Sequence, residues 1–160
     1  MASDKALRLA ANATRIAFIA NGLAFASWAP IIPFAKSNTG VDEAALGLLL
    51  LCLGIGSVVS MPITGWLCAQ HGTRPMILIS ALLMACALPF LAYLIDYWSL
   101  AVTLLVFGAA IGTLDVAMNI HAAEVEKRSG RALMSGFHGM FSIGAICGAG
   151  FVTLMISYGV

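Results

Sequence analysis

The chain has 160 residues, of which 61% are apolar and only 9% charged, and its mean hydropathy is +1.00. Soluble domains carry roughly 45–50% apolar and 25% charged residues, so this composition excludes a water-soluble globule, which needs more polar surface than the chain supplies. The net charge is +1 and no basic run is longer than Lys127-Arg128. That excludes nucleic acid as a partner, because phosphate binding needs clustered Lys and Arg.

A helix needs about 20 mainly apolar residues to cross a hydrocarbon core of roughly 30 Å, and five segments reach that length. The expectation is therefore an all-α membrane protein with five transmembrane helices and no stretch left for a soluble domain. The first span is predicted over about Arg15–Ala35, behind Lys5, Arg8 and Arg15. Its Ala24-Phe25-Ala26 resembles a signal-peptide cleavage site, but the apolar run continues to Ala35, too long for a signal core. Asn21, Phe25 and Trp28 fall at i, i+4 and i+7, on one helical face. They suit an aromatic and amide wall for a polyol or sugar, and equally a packing stripe. Pro30 and Pro33 predict a bend near the far end of this span.

The second and third spans are predicted over about Glu43–Cys68 and Pro75–Ile95, with Pro62 and Pro89 inside them, each releasing a backbone carbonyl. The fourth runs over about Ser99–Ala123. It holds the only acid within a span, Asp115, in a stripe with Gly108, Gly112 and Asn119 at i, i+4, i+7 and i+11. An ionisable side chain in a span costs about 2.5–3.5 kcal/mol on insertion scales, so Asp115 is a functional candidate. Two readings compete for this stripe: a cavity-facing acid and amide that bind a proton or solute, or interhelical glue behind a G-x-x-x-G contact.

The fifth span, about Ala132–Ile156, carries Ser135, His138 and Ser142 at i, i+3 and i+7, and a second G-x-x-x-G at Gly144 and Gly148. His138 suits a proton relay to an acid on a neighbouring helix, or a neutral imidazole bonded within the bundle. His121 is expected near the membrane interface, on the opposite side of its helix from Asp115, outside the site.

Seven of the eight basic residues fall on one side of these spans, and only Lys36 on the other. Cytoplasmic loops carry the excess of Lys and Arg, so the N-terminus is expected in the cytoplasm. Trp66 is expected at the inner interface, and Tyr93, Tyr97, Trp98 and Tyr158 at the outer one. Cys52, Cys68, Cys86 and Cys147 lack metal-ligand spacing and are expected as buried packing residues. No metal or cofactor is expected. Enzyme signatures fail on spacing: the stretch from Gly139 to Gly144 is one residue too long for G-x-S-x-G, and Gly54-Ile55-Gly56 lacks a third glycine, so the chain is not expected to be an enzyme. Little follows the fifth span, and five is an odd number for paired helical repeats. A parent chain with a sixth span and more is therefore expected.

Between spans two and three, Gly65, Leu67, Gly72 and Arg74 match the loop signature G-x-L-a-D-r-x-G-r-r/k of the major facilitator superfamily, with Ala69 and Gln70 where the signature has its acid and first basic residue. Asn21 to Pro30, Leu114 to Asn119 and Ser135 to Phe141 also resemble a bacterial branch of that superfamily grouping fucose-permease-like proteins with MosC and YbjJ. The resemblance covers nearly all of the chain. It implies a partial N-terminal six-helix half, residues 1–160, of a twelve-span transporter of the bacterial inner membrane, built as inverted three-helix repeats. It also implies proton coupling through Asp115, which stands where such symporters have an acid in span four. The resulting expectation is a secondary transporter, moving a small polar solute with protons by alternating access and completed by a missing C-terminal half. A drug or metabolite antiporter and a non-transporting membrane scaffold are the alternatives.

Overall fold

The computed structural model describes residues 2–159, all of whose regular structure is helical. The first span is made of three pieces: α1 (Ala2–Ser27), a 3-10 turn (Ala29–Ile31) and α2 (Ile32–Thr39). Then come α3 (Glu43–His71), α4 (Thr73–Tyr93), α5 (Tyr97–Ser129) and α6 (Met134–Ser157). Five helical units are long and apolar enough to cross a membrane. At 1.5 Å per residue even α4 spans about 31 Å, which matches the hydrocarbon core.

The break in the first span follows from its chemistry. Pro30 and Pro33 stand at the starts of the 3-10 turn and of α2, where a missing N–H costs nothing. Pro62 and Pro89, by contrast, lie inside continuous helices. Helix ends are closed by side chains close in sequence. Asp42 accepts the Ala45 N–H and Asp96 the Ser99 N–H, each at 2.8 Å, to cap α3 and α5. The backbone bond to Ser99 holds the Asp96 carboxyl below its ordinary value. Gly40 and Gly130 close α2 and α5 at a φ of 65°, and Gly72 turns α3 into α4 with a φ of 79°.

α5 is the centre of the bundle. It packs on α3, α4 and α1, while α6 packs mainly along α1. Phe107, Leu104, Leu114 and Met118 of α5 are buried, with Met84 and Leu91 of α4, Leu49 of α3 and Phe18 of α1. Two close contacts rest on glycine. A methyl at Gly56, Gly108 or Gly112 would overlap main-chain atoms across the α3/α5 contact, and one at Gly22, Gly144 or Gly148 would do so across α1/α6. Outside the bundle, Trp66, Tyr93, Trp98 and Tyr158 are exposed, with many Leu, Ile and Val. Such a surface is suited to lipid. Cys52 is half-buried and Cys68 buried, but Cys86 and Cys147 point outward, so their expected burial is corrected. In a bilayer the apolar thiol gains as much from lipid as from a protein core.

Candidate functional site

Asp115 stands near the middle of α5 and is half-buried. One turn on, the Asn119 amide turns back to it: Nδ2 donates to the Asp115 backbone carbonyl at 2.9 Å and to Oδ1 at 3.2 Å. No cation pairs with the carboxylate. The one ion pair among the described residues joins Lys36 and Glu43 at the far end of the bundle. Among the described residues Asp115 therefore keeps an acceptor oxygen without a protein partner, beside an amide that orients the other.

α1 supplies the next polar groups. Asn21 is buried, 2% exposed, and its Nδ2 donates to the Met118 sulfur at 3.4 Å, which brings it to the α5 segment between Asp115 and Asn119. Among the described residues its Oδ1 has no hydrogen-bond partner, and neither has the indole N–H of buried Trp28, seven residues on. Two buried unpaired polar atoms in one span, Asn21 in α1 and Trp28 just past its end, are unusual in a folded protein. Phe25, which the sequence places with them, is 45% exposed and turned toward α6, where it meets Phe141 at 6.2 Å between ring centroids. The expected three-residue wall thus divides, with Asn21 toward α5 and Phe25 toward α6.

His138 and Ser142 lie on the exposed face of α6, and the Ser142 hydroxyl donates to the His138 carbonyl at 3.2 Å. The His138 ring sits edge-on to Phe18 at 5.3 Å, so α1 is its neighbour. Among the described residues no hydrogen bond joins His138 to Asp115, and α5 and α6 have few contacts. The geometry does not provide the expected direct relay, because α1 links the two helices that carry its ends.

The loop signature lies at the junction of α3 and α4. Gly65, Gly72 and Arg74 line a hollow of about 470 Å³ with Cys68, Thr73 and Glu124. Leu67 lies outside it, in an apolar groove between α4 and α5. Across this junction Thr73 Oγ1 meets His121 Nδ1 at 3.4 Å, which ties α4 to α5. Another contact escaped the sequence reading: Glu126 of α5 accepts the N–H groups of Leu133 and Met134 at 2.6 and 2.7 Å, capping α6 across the turn. A carboxylate seven residues before an apolar run is the only trace of it in the sequence.

An all-helical bundle with five membrane-length helices, and an unpaired acid inside the central one, defines a multi-pass membrane protein of the transporter type. Residues 16–160 match the family model of the Major Facilitator Superfamily, and the chain belongs to that family. It is similar to an MFS-type transporter of Yersinia pestis, 53% identical over 91% of this chain and 38% of the relative. It is also similar to transporter y4wD of Sinorhizobium fredii, 39% identical over 82% of this chain and 35% of the relative. Membrane protein MosC of Rhizobium meliloti is 33% identical over 88% of this chain and 35% of its own length. The chain thus spans about a third of the length of these relatives. No solved structure matches it.

Proposed function

We propose that this chain forms most of the first six-helix half of a secondary active transporter of the bacterial inner membrane, which moves a small polar solute such as a sugar or polyol together with protons. The observation that carries this reading is Asp115: an acid without a cation inside the central helix, with Asn21, whose carbonyl oxygen is unused, reaching the same helix at Met118. Asp115 takes up and releases the proton. Asn119 holds its carboxyl in place, and Asn21 and Trp28 offer the solute one acceptor and one donor. Phe25, His138 and Ser142 belong to the α6 side of the pathway, where His138 acts separately from Asp115. The other face of the cavity comes from the remaining length of a full transporter, with the two halves rocking about the site. Seven basic residues at one end of the bundle support a cytoplasmic N-terminus.

The test is solute accumulation by the full-length transporter in membrane vesicles with an imposed pH gradient. Asp115→Asn is expected to abolish uphill accumulation while leaving equilibration down a solute gradient. Retained pH-driven accumulation overturns the proton role. Solute leaving in exchange for entering protons would assign the antiporter reading instead.

A further inference from the structure

The end of the bundle that carries most of the basic residues holds a second hollow, of about 380 Å³, away from Asp115. It lies where the first turns of α1 meet the turn between α5 and α6. Arg8 and Arg15 line it from α1, and Arg131 from the turn. None of the three is ion-paired, since the one ion pair among the described residues joins Lys36 and Glu43. Asp4 is the one acid in the lining. It sits in the first turn of α1, where the positive end of the helix dipole attracts it, so three cations less one anion leave the hollow at +2.

One cation and the turn that carries another are held in place. Arg15 Nη1 donates to Asn12 Oδ1 at 2.6 Å, which fixes its guanidinium on the α1 surface. The main-chain N–H of Arg131 donates to Ser129 Oγ at 3.1 Å, which fixes the backbone of the turn directly after Gly130 closes α5. Like charges converging on one hollow repel one another, and an anion between them relieves the repulsion. Guanidinium groups suit phosphate, which accepts two parallel hydrogen bonds from each fork. Asn12 and Ser129 add polar groups to the lining, and Leu7, Ala11 and Leu133 its apolar part. On the same stretch of α1, Leu9 and Ile16 are exposed apolar side chains.

We propose that this hollow binds a phosphate oxyanion, supplied by the headgroup of an anionic phospholipid whose acyl chains follow the apolar side of α1. Free phosphate offers the same oxyanion without the chains. The inference rests on the chain being a membrane protein and is independent of solute transport.

The experiment is native mass spectrometry of the full chain in a neutral detergent, titrated with dioleoylphosphatidylglycerol, dioleoylphosphatidylcholine or inorganic phosphate. The expected result is saturable binding of phosphatidylglycerol, at least about tenfold tighter than phosphatidylcholine. Arg15→Gln with Arg131→Gln is expected to weaken it by about tenfold or more, while Lys127→Gln with Arg128→Gln removes the same charge and leaves it within about twofold. Equal weakening by both pairs, or equal binding of both lipids, overturns the site in favour of diffuse attraction. Displacement of phosphatidylglycerol by millimolar phosphate alone overturns the lipid as its source. Should the Arg15 and Arg131 variant lose helical content, Arg8→Gln, at an exposed position, must still weaken phosphatidylglycerol binding several-fold, and its failure to do so also overturns the site.

Discussion

The α3/α5 and α1/α6 pairs both close on glycine, yet they differ in what surrounds the contact. Across α3/α5, Gly56 lies against Leu105 and Ala109 and Gly108 against Leu53, and hydroxyls fill the seam: Thr64 Oγ1 donates to Thr113 Oγ1 at 3.1 Å, with Ser57 and Ser60 beside Gly112. Across α1/α6, Gly22 lies against Phe141, Gly144 against Ile19 and Gly148 against Leu23, and aromatic rings take the place of hydroxyls, with Phe18 stacked on Phe137 at 5.7 Å. α4 and α1 then close around α5, and 44% of the most apolar stretch of α5 is buried, against 11% in α6. Lipid is as apolar as leucine, so apolar burial alone does not pull helices together in a membrane. Glycine joins two helices at close range in both pairs. Only the presence of further helices around α5 turns one pair into the centre of the bundle.

That contrast can be broken directly. Gly108→Leu drives a side chain into the Leu53 main chain of α3, and Gly144→Leu drives one into Ile19 of α1. Each is expected to cost at least about 3 kcal/mol locally. The α5 variant should disorder the bundle and make the buried Cys68 thiol reactive to a maleimide. The α6 variant should release α6 and leave Cys68 protected. Equal labelling of Cys68 in the two variants would show that the pairs are equivalent.

A smaller loss, about 1 kcal/mol for the aromatic pair, is expected in the thermal stability of Phe18→Leu, which keeps an apolar side chain in the fully buried site. The hydroxyl seam is worth less. Thr113→Val should cost about 0.6 kcal/mol in the same measurement, the average for a hydrogen bond between membrane helices. A loss from Thr113→Val larger than that from Phe18→Leu would reverse the order. The smallest effect concerns helix ends. Asp96 caps α5 from within, and its folded pKa lies below its ordinary value, so its stabilisation is present at neutral pH and disappears as pH falls through the depressed value. Faster amide exchange at Ser99 is expected on acidification. In Asp96→Ala the exchange should be fast at neutral pH also, once its intrinsic pH dependence is removed.

The five membrane-length units were legible because each is a long apolar run between charges and turn residues. Their ends were less so. α1 begins at Ala2 and α5 continues to Ser129, beyond the expected spans at both places, because a helix continues in water wherever its backbone bonds are satisfied. The Asp115–Asn119 pair could be read from spacing alone, as an i, i+4 contact within one helix. The approach of Asn21 to Met118 bridges 97 residues, and nothing in the pattern of α1 names α5 as its neighbour. For the same reason His138 looked like a partner for Asp115: periodicity assigns a residue to a face, and only packing decides which helix that face meets.

The glycines also set how this sequence can drift over generations. Every replacement of Gly22, Gly56, Gly108, Gly112, Gly144 or Gly148 adds at least a methyl where a neighbouring main chain already sits. A sample of natural variants should therefore show these six nearly unchanged. Gly47 and Gly54, which face open space on α3, are free to become alanine or larger, so the record of substitutions in this family would itself trace where its helices touch.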